Sequence, residues 1–241
     1  MTRRLPLFLT AALFCAALSC GLTAPAAAAW WTDPNPYVDP ALLPPALLPP
    51  PPAEGSPAWR LQTDGVIAAQ RLLSAGTIAD IRNEQHIRVG LVTSVLEPAF
   101  TPARFPKTFA LLNRVFANVT AVTETDKQFW HTRRPYLTDN HVKLYVDRLD
   151  DSPSYPSGHT SESRTVAEVL GMLFPEKRDA LRARADQIAT DRIKAGAHYP
   201  VDIAAGRALA MMMIGALMND ADFRADLAAA RAEIAAVKPA P

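Results

Sequence analysis

The chain has 241 residues, 49% of them hydrophobic and 20% charged, with a formal net charge of +1. That composition suits one globular domain with a substantial core, or at most two small ones. A balance so close to neutral gives no electrostatic case for nucleic acid or for a strongly acidic partner.

The amino terminus reads as a signal peptide over 1–29. Arg3 and Arg4 precede an apolar run from Leu5 to Leu22, and Ala24-Pro25-Ala26-Ala27-Ala28-Ala29 offers small residues for cleavage after Ala29. A transmembrane anchor is the competing reading of a run this long. Cleavage would remove both cysteines, Cys15 and Cys20, leaving a mature chain without thiol or disulfide chemistry. It would also take the net charge to −1. Cys20 follows Ala17-Leu18-Ser19, which faintly resembles a lipoprotein box, so a lipidated amino terminus is the alternative to a periplasmic or secreted protein.

Residues 30–56 are proline-rich and exclude α-helix and central strand, so they form an extended arm on the domain or a tether. The paired leucines in each of its repeats hint at packing. From 57 to 241 the pattern is helical. Ala58 to Leu73 spaces Leu61, Val66, Ile67 and Leu72/Leu73 for one face, and Thr77 to Ile87 is a shorter helix. Pro106 opens a long helix that runs towards Trp130. Residues 136–155 read as loop with one short element. Helices then follow over Ser161 to Leu173, Glu176 to Ala195 and Ala221 to Val237. Val201 to Met218 is almost all small and apolar and reads as the central buried helix. Asp202 and Arg207 argue against a membrane span there. The expectation is an all-α bundle.

Three segments join a basic or imidazole group to a structural break: Lys127 to Pro135, Pro156 to His159, and Arg192 to Asp202. Lys127, Arg134 and Arg192, brought together, would seat a tetrahedral oxyanion such as phosphate. Ser157 and Gly158 precede a helix and could turn amides towards the same anion, with glycine allowing close approach. His198 and Asp202 are four apart, so the carboxylate can fix the tautomer of the imidazole and leave its other nitrogen free to attack. His159 is then available as the acid for the leaving oxygen.

These blocks resemble the signature of the phosphatidic-acid-phosphatase-type (PAP2) superfamily. That superfamily includes bacterial class A non-specific acid phosphatases and vanadium haloperoxidases. Its pattern is Lys, six residues, Arg-Pro; then Pro-Ser-Gly-His; then Ser-Arg, five residues, His, three residues, Asp. Lys127 and Arg134-Pro135, Pro156 to His159, and Arg192, His198 and Asp202 fit it. Leu47 to Pro52 ("LLPPPP") and Ser94 to Phe100 ("SVLEPAF") are similar to the secreted acid phosphatases in particular. The departure is Asp191, where the family has Ser; it either pairs with Arg192 and weakens phosphate binding or points away.

The resemblance implies a helical bundle that hydrolyses small phosphate monoesters with broad specificity and an acidic optimum. His198 would be the nucleophile, Asp202 its orienter and His159 the acid and base. Lys127, Arg134, Arg192 and the amides of Ser157 and Gly158 would hold the phosphate, and inorganic phosphate would be product and inhibitor. Phosphotransfer to other alcohols would follow from the same intermediate. No cofactor or metal is implied. His86, His131 and His141 show no ligand-like spacing and read as surface or local-structure residues, with His131 a distant candidate for the pocket wall. Phe129 and Trp130 are candidates for an apolar rim. A vanadate-dependent haloperoxidase, a lipid phosphatase and an envelope protein that binds phosphate without turnover are the competing readings. A homo-oligomer remains open.

Overall fold

The computed structural model describes residues 35–149 and 152–237. The leader, both cysteines and the first residues of the arm lie outside them. Every regular element among the described residues is helical: α1 (Pro57–Ala69), α2 (Ala75–Asn83), α3 (Val89–Thr93), α4 (Pro106–Trp130), α5 (Pro135–Thr138), α6 (Gly158–Leu173), α7 (Arg178–Lys194), α8 (Pro200–Asn219) and α9 (Ala221–Val237).

Local chemistry fixes the helix starts. Ser56 Oγ accepts from Trp59 N at 3.1 Å ahead of Pro57, and Ser74 Oγ accepts from Thr77 N at 3.0 Å. α4 begins at Pro106 and borrows its cap from α9. The Glu233 carboxylate accepts from the N–H groups of Lys107 and Thr108, both at 2.9 Å, and from the Thr108 hydroxyl at 2.7 Å.

The core helix is α6. Thirteen of its sixteen residues are buried, and it packs against α4, α7 and α8. This corrects the expectation for Val201 to Met218, because α8 buries only one side and leaves Met211 and Met218 in solvent. α8 is long and apolar enough to cross a membrane by length and composition. Half of its apolar stretch is packed inside the bundle, and Arg207 on it pairs with Asp186 of α7 at 2.9 Å. The reversal has a physical cause. The first half of α6 carries Thr160, Ser161, Ser163 and Thr165, whose hydroxyls are satisfied internally, as in the 2.7 Å contact of Ser161 Oγ with Thr123 Oγ1. Small paired hydroxyls let helices approach where an apolar stripe would have been expected. On α4, Leu112, Val115 and Val119 are fully buried and face that core. Each contributes about 1.5–3 kcal/mol by leaving water.

Other expectations shift at their edges. Leu61 and Leu72 are exposed, and α1 presents Thr63 and Val66 inward instead. α2 ends at Asn83 rather than Ile87, and α3 was not legible as a separate turn.

The arm from Asn35 to Ser56 lies on the bundle. It carries two 3-10 turns, Pro40–Leu42 and Pro45–Leu47, a tighter helical form that its prolines permit. In each repeat the first leucine (Leu42, Leu47) is exposed and the second (Leu43, Leu48) is buried. Asn118 of α4 clamps Val38 twice, accepting its N–H at 2.9 Å and donating to its carbonyl at 2.8 Å. Tyr37 donates to Asp226 of α9 at 2.6 Å and lies under the Arg114 guanidinium. Further on, the Tyr155 hydroxyl donates to the Pro49 carbonyl.

Candidate active site

Four chain segments converge on a cavity of about 460 Å3. The end of α4 brings Lys127, which is buried and donates to Glu124 at 2.8 Å. α4 stops at His131, which takes the left-handed conformation (φ 48°), and the chain turns through Thr132 into α5.

Arg134 caps the start of α5 and is almost fully buried. Its Nε donates to Ser152 O at 2.8 Å and its Nη1 to Ala197 O at 3.0 Å, so the guanidinium plane is fixed. Nη1 also lies 3.2 Å from His198 Nε2.

The Pro-Ser-Gly-His segment is tied to Thr132, whose carbonyl and hydroxyl accept from Ser154 N (2.9 Å) and Tyr155 N (2.8 Å). It then opens α6. His159 sits in the first turn with Nε2 3.0 Å from Glu84 O and 3.2 Å from Gln85 O. Two carbonyl acceptors require a hydrogen on Nε2, which leaves Nδ1 as the titrating nitrogen.

Arg192 comes from the last turn of α7. Its Nη2 donates to Ile81 O at 2.9 Å, Glu84 lies 3.8 Å away, and its buried Nε has no protein partner. Gly196 then reverses the chain with φ +74°. A side chain there would meet Lys143 O at 2.2 Å, so only glycine serves. This turn delivers His198. Its Nδ1 lies 3.1 Å from Asp202 Oδ2, an oxygen that also accepts from Ser154 Oγ (2.6 Å) and Tyr199 N (2.9 Å). The carboxylate therefore accepts the Nδ1–H bond, and Nε2, at the cavity wall, accepts from Arg134 Nη1.

Electrostatics favour the neutral form of both rings. Burial holds the His198 imidazole well below its ordinary range, reinforced by Arg134, Lys127 and Arg192. His159 is depressed the same way, by burial and then by Arg192, His198 and Lys127, against the Glu84 carbonyl. Burial pushes Asp202 up to about 6, opposed by the bonds from Ser154 and Tyr199.

Of the eight residues expected at the site, Lys127, Arg134, Gly158, His159, Arg192 and His198 line the cavity, and Asp202 stands behind His198. Ser157 is corrected. Its N–H donates to Asp202 O at 3.1 Å, so it braces α8 instead of facing an anion. Gly158, the first residue of α6, has an N–H for which the helix provides no partner. Asp191 points away from Arg192, accepting from Gln187 at 2.8 Å and Lys194 at 2.9 Å. The carboxylate near Arg192 is Glu84.

The rim is also corrected. Ile87, Phe116, Val146 and Leu149 supply the apolar wall, and His86 lies on it. Trp130 and His131 line a separate cavity of about 330 Å3 on the far side of Asp202, and Phe129 lines neither. Sequence reasoning missed Glu84, Glu124, Glu162 and Ser154. Glu124 lies one turn before Lys127 and Glu162 one turn after His159, and that helical spacing was the available signal.

A family model described as PAP2 superfamily matches residues 108–225. An acid phosphatase of Zymomonas mobilis is 40% identical over 111 residues, which cover 45% of this chain and 42% of that protein. A non-specific acid phosphatase of Salmonella typhi is 29% identical over 194 residues, covering 76% of this chain and 77% of that one. Among solved structures, a bacterial vanadium-dependent iodoperoxidase superposes with a TM-score of 0.56 at 17% identity, covering 72% of this chain and 52% of its own. At that identity the likeness is one of fold.

Proposed function

Because this chain belongs to the PAP2 superfamily, we propose that it is an acid phosphatase, hydrolysing phosphate monoesters through a phosphoryl group carried on His198. The relatives from Zymomonas mobilis and Salmonella typhi bear that activity in their names. The observation that carries the reading is the presentation of His198: Nδ1 held by the Asp202 carboxylate, and Nε2 at the cavity wall accepting from Arg134, a donor that a phosphate oxygen would draw away.

Phosphate seats against Lys127, Arg134, Arg192 and the Gly158 N–H. Arg192 Nε, unpartnered in the protein, gains an oxygen acceptor. The His198 Nε2 lone pair then attacks phosphorus in line, forming the P–N bond as the P–O bond to the alcohol breaks. The leaving oxygen takes a proton from His159 Nδ1. The three cations and the amide meet charge that builds on the equatorial oxygens; one such donor is worth about 10²–10³ in rate. In the second half, water replaces the alcohol and gives its proton to Nδ1. The P–N bond breaks, and His198 returns neutral as inorganic phosphate leaves.

An acidic optimum follows. His159 must hold a second proton to act as the acid, and burial and Arg192 oppose that proton in the free enzyme. The cations supply the charge that a metal would otherwise bring, so turnover survives chelation. Beyond the phosphate seat the wall is largely apolar, from Ile87, Phe116, Val146 and Leu149, with Gln85, His86 and Asp147 as its polar members. This supports broad specificity. The leader-like amino terminus supports a periplasmic or secreted site of action.

The test is hydrolysis of an aryl phosphate with chelator present, together with quenching of a labelled reaction. Turnover with an acidic optimum and an alkali-stable, acid-labile phosphoprotein is expected, and His198→Ala should lose both. Turnover that chelation abolishes, or that His198→Ala retains, would overturn the mechanism.

A further inference from the structure

Glu162 is on the wall of the same cavity and has no part in the mechanism above. It is 95% buried, and its Oε1 accepts from Thr120 Oγ1 at 2.8 Å. Its Oε2 is buried with no protein partner. The position is close to where the phosphate must sit. A methyl built on Gly158 would lie 3.6 Å from Lys127 Nζ and 3.7 and 3.8 Å from the two Glu162 oxygens. The lysine, the carboxyl group and the first amide of α6 thus meet around one point.

We infer that Glu162 is a phosphate-binding residue that works only with its proton on, its Oε2–H donating to a phosphate oxygen held by Lys127 and Gly158. Ionised, the same carboxylate would face the phosphate charge at short range and oppose it. This rests on the phosphatase reading of the site and adds a second source of acid preference, one acting on binding and separate from the acid role of His159.

The surroundings favour the protonated form. Burial raises Glu162 to about 7, and Glu124 of α4 adds to the rise; Thr120 and Lys127 of α4 oppose it. His159 shares its helix. Across the cavity stand Arg134, Arg192 of α7, His198 and His86, with Glu84 behind Arg192. α3 carries no titratable side chain. Arg182 and Asp186 of α7 and Arg207 of α8 are engaged with Arg164 and Glu168 further along α6 or with one another. Glu176 and Lys177 lie in the turn packed against α6 near its end, and Asp222 and Asp226 of α9 pair with Arg114. Lys127 is already bonded to Glu124, so it cannot fully neutralise a second carboxylate.

The experiment measures the dissociation constant of inorganic phosphate by calorimetry, and KM and kcat for an aryl phosphate, from pH 5 to 8. Wild type is compared with Glu162→Gln and Thr120→Val. The ratio of variant to wild type cancels the titration of phosphate itself. Between pH 5 and 8 that ratio should move about tenfold or more in favour of Glu162→Gln, in Kd and KM and not in kcat. Thr120→Val removes a bond that favours the carboxylate, so its loss of affinity should move to higher pH. Curves for Glu162→Gln parallel to wild type, or an unmoved Thr120→Val profile, would overturn the inference even if turnover is normal. Phosphate binding that follows Glu162 as described, without turnover, would instead uphold it and sink the phosphatase reading.

Discussion

Asp126 has both carboxylate oxygens buried and without a protein partner. Burial raises it to about 7. Below its ordinary range near 3.8 the carboxyl is protonated whether or not the chain is folded. Between there and about 7 the folded chain holds a proton that the unfolded chain has lost, so its contribution to stability falls as pH rises. Asp126→Asn removes that dependence. The unfolding free energy of the variant relative to wild type should climb from pH 4 to pH 8 by on the order of a few kcal/mol; thermal unfolding at each pH checks it. At this scale the sequence named residues that the fold brings to one cavity, because Lys127, Arg134, His159, Arg192, His198 and Asp202 sit at fixed spacings around structural breaks. Those spacings carried no information on who bonds to whom. The Ser157 amide is taken by Asp202 O, and Glu84 reaches Arg192 from a position whose proximity exists only after folding.

Between elements, the contact that sets the site is the crossing of α6 and α8 at their amino-terminal ends. A side chain on Gly206 of α8 would meet Ser157 O and Thr160 Cβ at 2.8 Å and Ser161 N at 3.2 Å. Backbone lies on one side of that gap, so Gly206→Ala must push the helices apart. It should cost about 1–3 kcal/mol and lower kcat by loosening Asp202 from Ser157. Gly215→Ala in the same helix meets nothing within 4 Å. It should be neutral or stabilising by up to ~1 kcal/mol. Chemical denaturation with kinetics on both variants distinguishes local fit from helix propensity. Helical periodicity and proline positions made α4, α7 and α9 readable almost to the residue. The same reasoning assigned the centre to the wrong helix, because α8 is apolar by composition whereas α6 is buried by closeness of packing.

Across the whole molecule, the arm ties the surface of α4 and α9 to the site. Leu48 is buried and Leu47, beside it, is half exposed. Leu48→Ala should destabilise by about 2–5 kcal/mol, and Leu47→Ala by no more than ~0.5 kcal/mol. Limited proteolysis should then cut Leu48→Ala within 35–56 while the bundle survives. The two proline repeats look equivalent in sequence; only the 3-10 turns decide which leucine of each pair faces inward.

Tyr37 bonds to Asp226 across 189 positions of sequence. On the ribosome, one end of that bond exists long before the other. Residues near the amino terminus must wait, unburied, until the last described helix has been made. Closure of the arm is thus a late, high-contact-order step. A chain halted before α9 would display Tyr37 to whatever handles incomplete proteins, and a finished one would hide it.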